Sequence, residues 1–109
     1  AVAEQAGLAA ELDLWVLEHA TLAARPWVAE SLLRWKRPLA VNVSGHSLST
    51  VDFVERFERV LTRTSFPVEC LVVEVTETHL ADRARPRHGE QQLHRRARLH
   101  ALRAAQRET

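Results

Sequence analysis

The chain is poor in the residues that usually mark special chemistry: one cysteine, three glycines, four prolines, no methionine and no tyrosine in 109 positions. A single Cys70, set inside an apolar run, excludes a disulfide framework and a paired-cysteine metal knuckle, and reads as a small buried hydrophobe. No apolar stretch approaches bilayer-spanning length and no secretory signal is present, so a cytoplasmic location is the expectation. Aromatics are scarce at 6%, yet 46% hydrophobic residues suffice for the core of one small domain. The net charge of +1 says nothing about a charged partner. Its distribution is uneven, because eight of the fifteen basic residues follow Thr78, against Asp82, Glu90 and Glu108 as acids. The missing initiator Met and an opening that reads as mid-helix lead us to expect a piece of a longer protein.

Two short apolar runs stand out, Leu39-Ala-Val-Asn-Val-Ser44 and Leu71-Val-Val-Glu-Val-Thr-Glu77. Runs of Val and Leu this unbroken predict strands buried on both faces, as in a parallel sheet. Asn42 and Glu74 are the exceptions. A carboxylate in such a place costs several kcal/mol unless something cationic compensates it. Alternation puts Ala40, Asn42 and Ser44 on one face, and Cys70, Val72, Glu74 and Thr76 on one face of the second run. Both exceptions lie toward the C-terminal end of their strand, where parallel α/β folds build sites. That placement points to a metal or phosphate site. Each residue alone has a structural reading, Asn42 as a turn former and Glu74 as a solvent-facing end. The matching position and face favour function.

The surrounding text predicts an alternation of helix and strand. Ala3 to Ala6 reads as the last turn of a helix closed by Gly7. A second helix runs from about Leu8 to Ala24, with Leu8, Leu12, Trp15, Val16 and His19 as its apolar stripe. Arg25-Pro26 stops it, and Trp27 to Arg37 offers a further short helix with Trp27 and Trp35 as packing residues. After the first strand, Ser49 or Thr50 caps a helix over about 51–64, buried through Phe53, Val54, Phe57, Val60 and Leu61. Asp52 with Arg56 and Glu55 with Arg59 are its expected exposed pairs. The order predicts a parallel α/β fold with a right-handed crossover. Beyond Thr78 the character changes: residues 79–109 hold eight Arg and four His but no Val, Ile, Phe or Trp. A thin Ala-rich helix over roughly Glu90 to Gln106 is all this tail supports, with no third strand and few contacts to the core.

These residues resemble the EAL domains, which hydrolyse the bacterial messenger cyclic di-GMP. The matching text is Ala3-Glu-Gln-Ala-Gly-Leu8, Leu12-Asp-Leu-Trp-Val-Leu17 with Ala20, Val41-Asn-Val-Ser44 with Leu48, Phe53, and Val73-Glu-Val-Thr-Glu77. It covers about residues 1–78. The resemblance implies a fragment of a TIM-like (β/α) barrel, with two parallel strands and flanking helices, followed by a basic tail over 79–109. It also implies that Asn42 and Glu74 are ligands of a catalytic Mg²⁺ or Mn²⁺, and that Glu77 supports the active-site loop. Hard oxygen donors suit those ions. In the family two metals activate a water for in-line attack on the phosphodiester.

The departures from the family are large. Its name-giving glutamate strand would lie before Ala1. The Asp-Asp-Phe-Gly strand expected after Glu74, and the later Lys and Glu, are absent from the text, which turns Arg- and His-rich as a frameshifted or degenerate gene end would. The expectation is therefore an inactive chain with weak or no metal binding. Two other readings are open. One is a degenerate EAL remnant serving as a protein-interaction module, with self-association through exposed barrel edges. The other is a nucleic-acid binder using the basic tail, disfavoured because aromatic interleaving and a binding motif are lacking.

Overall fold

The computed structural model describes residues 2–33, 37–77 and 93–97. Its elements are α1 (Val2–Ala29), β1 (Leu39–Ser44), α2 (Gly45–Leu48), α3 (Phe53–Thr64), β2 (Leu71–Glu77) and β3 (Leu93–Ala97), with a 3₁₀ turn over Val68–Cys70 before β2. The architecture is α/β. β1 and β2 pair in parallel and in register from Leu39↔Leu71 to Ser44↔Thr76, and α3 lies between them in the chain. The expected pair of adjacent parallel strands joined by a helix is therefore present.

Packing explains which faces are buried. Val41 and Val43 of β1 and Leu71, Val73 and Val75 of β2 form one core with Phe53, Val54, Phe57, Val60 and Leu61 of α3 and with Ala10, Leu14, Leu17 and Ala24 of α1. Phe53 and Phe57 are wholly buried, their rings 5.9 Å apart and tilted. Each such side chain contributes on the order of 1.5–3 kcal/mol by leaving water. β1 is covered on one side only, since Ala40 and Asn42 are exposed. The expectation of burial on both faces thus fails for β1. Central β2 is better covered, with Val72 buried and Glu74 half-buried on the corresponding face.

α1 corrects three readings. It runs through Gly7 without a break and past Pro26 to Ala29. Gly7 sits among helix formers and costs about 1 kcal/mol relative to Ala, too little to end a helix. Pro26 falls in the final turn, where it forfeits one hydrogen bond rather than a whole helix. The helix ends after it through Ser31, whose φ is 61°. Ser31 N–H donates to Val28 O and Leu32 N–H to Trp27 O, closing the left-handed helix end. The short helix expected over 27–37 is absent as far as Leu33, Trp27 is exposed, and Trp35 lies outside the described residues.

The buried stripe of α1 is also different. Ala10, Leu14, Leu17, Thr21 and Ala24 face the sheet, whereas Leu8, Leu12, Trp15 and Val16 are exposed. Small Ala10, Thr21 and Ala24 let the helix lie close on the strands. Hydropathy alone favoured the larger residues on the other side. On α3 the five expected apolar positions are all buried. Its start differs: Asp52 is the N-cap residue and makes no side-chain capping bond, while Ser49 closes α2. Arg56 pairs with Glu11 at 2.7 Å and Arg63 with Glu18 at 2.8 Å, so these pairs link α3 to α1 rather than running along α3.

A third strand exists. β3 lies antiparallel to β2, with Val73↔Ala97, Glu74↔Arg96 and Glu77↔Leu93 in register, giving the sheet order β1-β2-β3. The helix expected over 90–106 is therefore replaced by strand at 93–97. The rest of 79–109 lies outside the described residues. The physical reason is the edge of β2, whose backbone groups would otherwise stand unpaired along one side.

Candidate metal site on the sheet

β1 and β2 bring Asn42 and Glu74 together. The two are direct partners in the parallel register, so their Cα atoms sit about one strand spacing, roughly 4.8 Å, apart. Because side chains alternate along each strand, both lie on the face opposite the one that Val41, Val43, Val73 and Val75 bury against the helices. The same row carries Ala40 beside Val72 and Ser44 beside Thr76. It grows more polar toward the C-terminal ends. Asn42 is exposed and Glu74 half-buried. Glu77 closes β2, and its side chain lies outside the described residues.

The donor set is a neutral amide oxygen and a carboxylate, side by side. That chemistry suits a small hard cation, which accepts one or two protein carboxylates and fills its remaining positions with water and phosphate oxygens. The pair fits part of such a shell. Among the described residues no three His, Cys, Asp or Glu side chains gather into a fuller one.

The end of β1 is held by a residue the sequence reading did not single out. Asp13, on α1, accepts from Ser44 N–H at 2.8 Å and from Ser47 Oγ at 2.5 Å through the same Oδ2. Ser44 is at once the last residue of β1 and the cap of α2, its own Oγ accepting from His46 N–H at 3.0 Å. Strand thus passes into helix with no intervening loop. Thr50 Oγ1 adds a bond to Ala6 O at 3.2 Å. Asn42 therefore stands two residues from a point pinned by a carboxylate. The signal for Asp13 was present, an acid beside the row Ala10, Leu14, Leu17, but it is legible only once that row is known to be the buried one.

No helix among the described residues is long and apolar enough to cross a membrane. Comparison with known proteins completes the picture. The family model for the EAL domain matches residues 1–105, past the point at which the quoted motifs end. Over 81 residues the chain is 28% identical to the signaling protein YkoW of Bacillus subtilis, covering 74% of this chain and 10% of that protein. It is 31% identical over 81 residues to an uncharacterized protein of Azorhizobium caulinodans, covering 71% of this chain and 11% of the relative. The chain spans about a tenth of the length of these curated relatives. No solved structure matches it.

Proposed function

The chain belongs to the EAL domain family, and on that premise we propose that it is an internal piece of a (β/α) barrel whose parent hydrolyses a phosphodiester bond of cyclic di-GMP. Asn42 and Glu74 each offer one oxygen donor to a divalent cation, Mg²⁺ or Mn²⁺. The observation that carries this reading is their direct pairing in the parallel register on the face turned away from the helices. A hard cation bound there supplies Lewis acidity and a more acidic water. The protein's part is placement. The sheet fixes the spacing of the two donors, and the bond from Ser44 N–H to Asp13 fixes the strand end beyond Asn42. Glu77, at the end of β2, is proposed to support the loop that follows.

The described residues supply two of the several donors that hydrolysis needs, and in-line attack requires stabilisation of both the attacking and the leaving oxygen. We therefore expect weak, exchangeable metal binding and no turnover from this chain. Titration with Mn²⁺ followed by electron paramagnetic resonance should show binding that Glu74→Ala weakens at least tenfold and Asn42→Ala weakens less. Binding unchanged by Glu74→Ala refutes the ligand assignment. Incubation with cyclic di-GMP and Mg²⁺ or Mn²⁺, read by chromatography, should yield no linear dinucleotide. Product that disappears with Glu74→Ala would show that the chain assembles a complete site.

A further inference from the structure

We propose that the outward face of α1 is a helix-pairing seam through which two copies of this chain associate in parallel. Leu8, Leu12, Trp15, His19 and Leu22 follow one another at steps of four, three, four and three residues, the spacing of a two-stranded coiled-coil seam. The residues are exposed: Leu8 by 72%, Leu12 by 61%, Trp15 by 59% and Leu22 by 44%. Trp15 and His19 stack with ring centroids 4.0 Å apart, and His19 Nδ1 lies 2.8 Å from Trp15 O, so the middle of the seam is already ordered.

Position on the helix decides what can cover it. At about 100° per residue the seam lies on the far side of α1 from Ala10, Leu14, Leu17 and Thr21, which face the sheet. A further helix laid on the same sheet would pack beside α1, along Ala20 and Trp27, and would leave the seam bare. The occupant must come from outside this layer. With Val16 on its flank, the face exposes roughly 500 Å² of large apolar side chains. That reaches the upper range for a monomer's largest patch and is more than half of the about 800 Å² per partner of a standard interface.

The flanks favour a second copy in parallel. One side carries Glu11 and Glu18, each already paired with an arginine of its own chain. The other carries Ala9, Val16 and Ala23, small enough for two backbones to approach. In a parallel pair the glutamate row of one helix meets the small row of the other. In an antiparallel pair glutamates would meet glutamates. This surface is separate from the sheet edges and from Asn42 and Glu74.

Sedimentation of the 109-residue chain across the micromolar range tests the proposal, with far-UV circular dichroism confirming that each variant folds. The expected result is a monomer–dimer equilibrium that Leu12→Glu with Trp15→Glu shifts at least tenfold toward monomer. Val51→Glu, at a residue 85% exposed that lies outside α1, should leave it unchanged. A Leu12→Cys variant, treated with oxidised glutathione, should cross-link to a symmetric dimer, because the native Cys70 is buried. A chain that stays monomeric, a dimer that survives the double substitution through its sheet edges, or a Leu12→Cys variant that fails to cross-link would each overturn the parallel seam.

Discussion

Replacing Asp13 by Ala should destabilise the fold more than any other change to an acidic residue among those described. Its Oδ2 receives two bonds, from Ser44 N–H and from Ser47 Oγ, and the Ser47 side chain is wholly buried. Hydrogen bonds to a charged group each contribute about 1.5–3 kcal/mol, and a buried donor left without a partner costs about 1–3 kcal/mol. Water can reach half-buried Ser44 but not Ser47, so we expect a loss of about 3 kcal/mol in total. A domain of this size holds about 5–15 kcal/mol, so the loss is severe. Asp13→Asn keeps an acceptor oxygen without the charge and should cost about 1 kcal/mol. Urea unfolding followed by circular dichroism, with unchanged m-values, is the assay. The cycle combining Asp13→Ala with Ser47→Ala should show a coupling of about 1 kcal/mol or more. A loss for Asp13→Ala no larger than for Glu55→Ala, an exposed acid on α3, would refute the reasoning.

Gly7→Ala should raise stability by about 0.5–1 kcal/mol, since Gly7 is helical and an added Cβ meets nothing within 4 Å; a loss in the same urea assay would mean that the helix does break there. Leu17→Ala should cost about 2–5 kcal/mol while, at concentrations where the chain is monomeric, Leu8→Ala stays within about 0.5 kcal/mol, and the reverse order by thermal or urea unfolding would restore the other stripe of α1. Ser65→Gly should stabilise by up to about 1 kcal/mol, because Ser65 ends α3 at φ 57°; calorimetry would read it as a higher Tm. Arg63→Ala should change stability by no more than about 0.5 kcal/mol, the Arg63–Glu18 pair being well exposed.

What the sequence disclosed depended on how single-valued each pattern was. α3 has one apolar face, so Phe53, Val54, Phe57, Val60 and Leu61 were read correctly. The parallel strands were legible from two runs of Val and Leu, and the pairing of Asn42 with Glu74 followed from alternation plus register. α1 has two apolar faces. The hydropathy rule chose the one with larger residues, while the sheet selected the one with smaller residues. Asp13 stayed hidden for the same reason. β3 was illegible because Leu-His-Arg-Arg-Ala has little strand propensity; its conformation comes from the unpaired margin of β2, a demand visible only in three dimensions.

That third strand makes the two margins of the sheet unequal in kind. Among the described residues no strand pairs with the outer margin of β1. β2's outer margin is taken by a five-residue antiparallel neighbour, so a strand seeking to join β2 in parallel must evict β3 first. β3 thus occupies the margin at which β2 could otherwise take a parallel neighbour.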